Sequence, residues 1–292
     1  MAIASYGALL DAVRGVHWPA RHAVRSPIPG THHSKLRGSS AEFTEYRLYR
    51  QGDDPRRIDW RLLGRSDRAY VRIATDRAQL PTTVVVDASA SMAFPLATRS
   101  KWTRAQEIAV GLAAVAHADG DPVGVSIAAG RRGSTVLPPR TRRGVVSEIA
   151  RLIDAVDPAG LDPVAPAIAG IRSARIVIIT DLLGDADELM RVVRVHIVAG
   201  GEAYLIHVVA REELDPLRHA TLVADPEQPA LQRVLTESSR REYQLAFHAW
   251  RIEMARRWRA TGAWYVEVIA DEAASHAVRR IVEFPADPPV RR

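Results

Sequence analysis

Thr83-Val84-Val85-Val86-Asp87-Ala88-Ser89-Ala90-Ser91-Met92 decides how the rest of this chain is read. It starts as a run of β-branched residues behind Pro81 and ends in small polar ones, the pattern of a buried parallel strand running into a turn. Asp87, Ser89 and Ser91 alternate along that turn, so their oxygens converge just past the strand's carboxyl end. A donor set made only of oxygens suits a hard cation such as Mg²⁺, which takes a carboxylate, hydroxyls and retained waters. The same residues also read as helix caps, and the stretch alone leaves both readings open.

Ile176-Val177-Ile178-Ile179-Thr180-Asp181 is a second short apolar run that ends in an acid. Neighbouring strands of a parallel sheet open their carboxyl ends onto one crevice. Asp181 is therefore expected across that crevice from Asp87.

From Thr82 onward strand and helix patterns alternate, which implies an α/β fold with a doubly wound, mostly parallel sheet and helices on both faces. Helices are expected over 100–119, 145–156, 161–171, 185–198, 231–261 and 274–282, and strands over 123–129, 135–137, 203–209 and 264–270. The tight link Gly130-Arg131-Arg132-Gly133 makes the second and third strands a hairpin, with one of them antiparallel at the sheet edge. Thr221–Ala224 is expected as a short strand near an edge. In the helix over 231–261, Tyr243, Phe247, Trp250 and Met254 set a face that reads as core.

Upstream, Leu9, Leu10, Val13 and Val16 recur at helical spacing before His17-Trp18-Pro19, an apolar face fit to dock on the main domain. Ser26 to Ser40 reads as loop, and Tyr70–Ile73 as strand. The expected organisation is 1–80, an N-terminal helix and a charged segment packed on the sheet; 81–285, the α/β domain; and 286–292, an unstructured tail.

With 292 residues, 47% of them hydrophobic, the chain has material for a real core. It has no cysteine, which excludes disulfides and thiolate chemistry and fits a reducing compartment. The start of the chain lacks a basic leader, and no apolar run approaches the roughly 20 residues of a membrane span. A cytoplasmic protein with no membrane span is expected. The net charge of +6 and pI near 10 would suit nucleic acid, but acids and bases are interleaved along the chain. The basic residues are almost all arginine, Lys35 and Lys101 being the exceptions. No nucleic-acid partner is expected.

The pattern Asp87-x-Ser89-x-Ser91, with a later strand ending in Thr180-Asp181, resembles the metal-ion-dependent adhesion site of von Willebrand factor A domains. That resemblance implies a von Willebrand factor A-like fold and one Mg²⁺ or Mn²⁺, held by Asp87, Ser89, Ser91 and Asp181 and completed by a partner's carboxylate. It also implies a threonine from a second loop, where this chain carries Gly160-Leu161-Asp162. Leucine ligates no metal, so the site is degenerate: weakened, rebuilt with water or Asp162, or vestigial.

A longer block sharpens the resemblance. Gly38-Ser39-Ser40-x-Glu42-Phe43, Arg47-x-Tyr49 and Gly52-Asp53-Asp54-x-Arg56-x-Ile58-Asp59-Trp60 resemble the signature of the bacterial domain-of-unknown-function family fifty-eight, over about residues 30 to 285. The genes of that family typically sit beside those of MoxR-type AAA ATPases. The resemblance therefore implies such an ATPase, or its client, as protein partner, in remodelling or maturing a complex. Read as residues, the block suits an ion-pair network under Trp60 that pins the segment to the α/β domain. Alternatively Asp53, Asp54, Arg56 and Asp59 recognise the partner, and Arg131 and Arg132 flank the metal loop and attract its acidic groups. Arg140, Arg142 and Arg143 belong to the opposite rim.

No Gly-x-Ser-x-Gly elbow, phosphate loop or His-Glu-x-x-His helix is present, so no catalytic set is expected. The leading expectation is a protein-interaction module with a degenerate Mg²⁺ site. A metal-independent adaptor working through 52–61 comes second, and a Mg²⁺-dependent phosphohydrolase third.

Overall fold

The computed structural model describes residues 5–21, 29–33, 43–51, 53, 55–74, 77–128, 135–161, 163–216, 222–224, 232–234 and 236–283. The chain divides into two compact units, Met1–Pro19 with Pro81–Arg292, and Ala20–Leu80.

In the larger unit the elements are α1 (Gly7–Ala12), β1 (Thr82–Asp87), α2 (Ser100–Ala118), β2 (Val123–Ala128), β3 (Thr135–Arg140) and α3 (Val145–Asp154). They continue as α4 (Val164–Ala169), β4 (Arg175–Thr180), α5 (Ala186–Val198), β5 (Glu202–Val209), α6 (Arg211–Leu214), α7 (Glu237–Ala260), β6 (Trp264–Ile269) and α8 (Ala274–Glu283). The six strands form one sheet in the order β6-β5-β4-β1-β2-β3. All neighbours are parallel except β2 and β3, the antiparallel edge pair expected from the short link between them.

β1 is central and buried along its whole length. Its side chains alternate between faces, as the pleat requires. Val84 and Val86 join Leu9, Ile108, Leu112, Ile149 and Ile281 in one layer. Val85 joins Ile168, Val193, Met254 and Trp258 in the other. Each such side chain contributes about 1.5–3 kcal/mol by leaving water, which is why a β-branched run holds the centre. β2 leaves β1 on one side and β4 lies on the other, so the order reverses at β1. The crevice at the carboxyl ends of β1 and β4 is the topological switch point.

α1 belongs with this unit rather than with residues 20–80, because Tyr6, Leu9, Val13, Val16 and Trp18 are all buried in the first layer. The helix is shorter than its apolar spacing implies: it ends at Ala12, and Val13 and Val16 are buried from the turns beyond it.

Other expectations are corrected. Pro29–His33, expected as loop, is a strand paired antiparallel with Arg77–Ala78. Leu222–Ala224 is not an edge of the main sheet; it pairs with Gln232–Val234 in a separate two-stranded ladder. The helix expected from 231 begins at Glu237, because Thr236 and Ser239 cap each other's backbone N–H groups there. α4 is six residues long, held between Pro163 and Gly170.

In the smaller unit Phe43–Leu48 pairs antiparallel with Tyr70–Ala74. Asp59 caps the helix Trp60–Ser66 by accepting from the N–H groups of Arg61 and Leu62. Trp60 is 63% exposed, so it does not cover the charged block.

Candidate functional site at the carboxyl ends of the central strands

β1 delivers Asp87 to the rim, and the chain then turns through Ser89 into a short 3₁₀ turn, Ala90–Ala93. Asp87, Ser89 and Ser91 are all buried, and the two serine hydroxyls lie 3.0 Å apart. The Asp87 carboxylate accepts from the Ser89 N–H at 2.9 Å and from the Thr180 hydroxyl at 2.6 Å. Both donors are neutral. Burial, followed by the nearby Asp181 charge, pushes the Asp87 pKa up to about 6.

The expected second-loop position is next to this turn. Ala90 N–H donates to the Gly160 carbonyl and Ala159 N–H to the Ala88 carbonyl, each at 3.0 Å. Leu161 is exposed, and Asp162 lies outside the described residues. Thr180 instead supplies a hydroxyl to Asp87, and its oxygen also accepts from the Leu182 N–H at 3.1 Å. Leu182, two residues past Thr180, is held at φ 61°, a left-handed conformation unusual for leucine.

Asp181 is on the rim with Asp87 but already holds a cation. Lys101, from the first turn of α2, donates to Asp181 Oδ2 at 2.7 Å and to Glu213 Oε1 at 2.8 Å, and its side chain is 0% exposed. The second oxygen of Asp181 accepts from the Leu183 N–H, and that of Glu213 from the Ala210 N–H. Burial works to lower the Lys101 pKa, but the Asp181 and Glu213 charges outweigh it and raise it above the ordinary lysine value. Burial is the main cause raising the Glu213 pKa, against the pull of Lys101. A lysine at a helix N-terminus opposes the helix dipole, so these two carboxylates hold the ammonium in place.

The oxygen set of Asp87, Ser89 and Ser91 fits a hard divalent cation: one buried carboxylate that makes no ion pair among the described residues, beside two adjacent hydroxyls. Among the described residues no three His, Cys, Asp or Glu side chains are grouped to hold a metal ion. A cation here rests on hydroxyls and the Asp87 carboxylate.

The remaining candidates are placed as follows. Asp53 accepts from Arg47 at 2.7 Å and from the Arg50 N–H at 2.8 Å, and its pKa is lowered, chiefly by the Arg47 bond. Asp59, besides capping its helix, accepts from the Tyr46 hydroxyl at 2.8 Å. Arg56 is exposed. Asp54, Arg131 and Arg132 lie outside the described residues. Ala128, the last residue of β2, is paired with Asp87 on the site rim, whereas Arg140 is paired with Val123 at the opposite end of that strand.

Sequence reasoning missed Lys101, Glu213 and the hydroxyl of Thr180 as a partner of Asp87. A signal for the first was present: a chain that writes arginine almost everywhere keeps lysine at 101. A compact ammonium meets two buried carboxylates as a point charge, whereas a guanidinium presents a wider planar fork.

Strand order, rim position and oxygen donors together define an open α/β domain with its polar site at the crossover crevice. The chain belongs to the family described as protein of unknown function DUF58, whose model matches residues 45–253, a shorter span than the 30–285 expected. Rv1480 of Mycobacterium tuberculosis and Mb1516 of Mycobacterium bovis, both uncharacterized, are each 30% identical to it over 265 residues, covering 87% of this chain and 83% of theirs. BatB from Bacteroides thetaiotaomicron is similar in structure over 70% of this chain and 97% of its own, at 17% identity and a TM-score of 0.43. The SpRpn10 VWA domain is similar over 68% and 92%, at 10% identity and a TM-score of 0.37. At such scores the fold is defined by the strand order itself. Among the described residues no helix is long and apolar enough to cross a membrane.

Proposed function

We propose that this protein is a von Willebrand factor A-like interaction module that binds a protein partner at the carboxyl rim of β1 and β4, through a Mg²⁺ or Mn²⁺ ion held by Asp87, Ser89 and Ser91. The observation that carries the reading is the buried Asp87 carboxylate, flanked by two hydroxyls and, among the described residues, without an ion pair, while Asp181 beside it has Lys101. A buried charge without a counter-charge is costly, and a divalent ion removes that cost. When bound, the ion supplies positive charge to a carboxylate of the partner. The chain's own residues orient the site: Thr180 and the Ser89 N–H fix the Asp87 carboxylate, and the backbone bonds to Gly160 and from Ala159 fix the turn.

The partner we propose is a MoxR-type AAA ATPase or its client, from the resemblance of the 38–60 block, and the module's role is to present or recruit rather than to catalyse. Calorimetric titration of Mg²⁺ and Mn²⁺ tests the site, with Asp87→Ala as control and Leu161→Thr as the restored second loop. Binding abolished by Asp87→Ala is expected, with tighter binding by Leu161→Thr. A purified MoxR-type ATPase is expected to bind the wild type and to be released by chelator. Wild-type titration without heat, unchanged by Leu161→Thr, sinks the metal reading.

A second reading has its own support. Trp60, Leu48 and Tyr46 are 63%, 50% and 41% exposed in the smaller unit, and exposed tryptophan and tyrosine are common anchors of protein contacts. Partner binding that survives chelation and Asp87→Ala but is lost in Trp60→Ala favours a metal-independent adaptor.

A further inference from the structure

Lys101 has no place in the expected donor set, yet it is among the most deeply buried groups of the rim. Its ammonium bridges Asp181, at the end of β4, and Glu213, in α6 beyond β5. All four oxygens of those two carboxylates are engaged, two by the ammonium and two by backbone N–H groups. A metal at Asp181 therefore competes with the Lys101 ammonium and the Leu183 N–H for its oxygens. Three carboxylates, Asp87, Asp181 and Glu213, and one ammonium leave the cluster two negative charges instead of three.

Resting on the metal reading above, we infer that Lys101 is a resident cation that sets the divalent affinity of the site: it withholds Asp181 from the ion at Asp87 and repels that ion. Cation binding and the Lys101–Asp181 contact then oppose each other, and the opposition is reciprocal. Because the same ammonium holds Glu213, occupancy of the site also bears on the segment after β5. An ion that draws Asp181 away leaves Lys101 to Glu213 alone.

The test is calorimetric titration of Mg²⁺ and Mn²⁺ into the full chain carrying Glu213→Gln, Lys101→Met with Glu213→Gln, and Lys101→Arg, together with melting temperatures with and without the ion. Glu213→Gln keeps the ammonium on Asp181 and removes one negative charge, so its affinity is expected to fall. The double variant frees Asp181 and removes the repulsion. Its cluster carries two negative charges, as in the wild type, but both are now carboxylates free to meet the ion and no ammonium stands beside it, so its affinity is expected to rise roughly tenfold or more over wild type. Its melting temperature should rise with Mg²⁺ by more than that of the wild type. Lys101→Arg, which keeps the charge, should not gain affinity. Wild-type binding that depends on Asp87 but is matched by both Glu213→Gln and the double variant overturns the role of Lys101 and leaves the metal reading standing. Absence of binding in every form overturns both. If the double variant does not fold, the wild type decides: the chain has two lysines, Lys35 and Lys101, and with isotope-labelled lysine the Lys101 side-chain NMR signal is expected to shift as Mg²⁺ fills the site, whereas an unmoved signal at full occupancy overturns the inference.

Discussion

Thr180 does two things with one oxygen, donating to Asp87 and accepting from the Leu182 N–H. Thr180→Val keeps the shape and removes both bonds, leaving a buried carboxylate oxygen and a buried N–H unsatisfied. A loss of about 1–3 kcal/mol in urea unfolding is expected, with Thr180→Ser close to wild type. His207, fully buried in β5 with the Tyr265 hydroxyl 2.6 Å from Nδ1, supplies a pH prediction. Burial lowers its pKa to about 4 from an ordinary 6.5; Glu267 and Asp181 pull it up, and Arg251 and Lys101 push it down. Between those values the unfolded chain binds the proton and the folded chain does not. Stability therefore falls as pH drops from 6.5 to 4 and the loss is complete below that. The loss is on the order of 3 kcal/mol. Melting curves of His207→Gln across this window should be flatter than those of wild type; parallel curves would refute the assignment.

At the scale of elements, the edge hairpin depends on one small residue. A Cβ added at Gly124 in β2 would lie 2.4 Å from the Leu137 carbonyl and 2.7 Å from the Pro139 nitrogen, both backbone atoms of β3. Backbone cannot swing aside as a side chain does, so Gly124→Ala must push β3 away. A loss of about 1–3 kcal/mol is expected, with faster hydrogen exchange confined at first to β3 and its partner strand. Gly111→Ala is the gentler comparison, since its nearest obstacle is the Val278 side chain at 2.8 Å. Most strand boundaries in the main sheet were legible from apolar runs and their punctuation, but β3, expected over 135–137, runs on through Pro138 and Pro139 to Arg140 at the sheet edge, where a proline need not donate to a ladder. The start of α7 was not legible, because Thr236 acts through a local capping exchange with Ser239 that periodicity does not register. Nor was the pairing of Leu222–Ala224 with Gln232–Val234, since the identity of a strand's partner leaves no mark on the strand itself.

Across the whole larger unit, the N-terminal segment is fastened by Arg175, the first residue of β4. Its guanidinium stacks 4.2 Å from the Trp18 ring, donates to the Trp18 and Pro19 carbonyls at 3.3 and 2.9 Å, and pairs with Glu202 at 3.2 Å. Trp18→Ala empties a fully buried site and is expected to cost about 3–5 kcal/mol, read as a lower denaturant midpoint. By itself the sequence determined that a β-branched run would be the buried central strand, that alternating patterns would wind a mostly parallel sheet around it, and that Asp87, Ser89, Ser91 and Asp181 would share one rim. Each follows from local periodicity or from the rule that parallel strands open their ends on one side. Only the tertiary structure decided that Lys101, 80 residues before Asp181 and 112 before Glu213, would put its ammonium between them. Local pattern describes which residues are apolar or polar, whereas charge pairing in a buried crevice depends on which strand ends meet, and that is settled by packing the whole sheet.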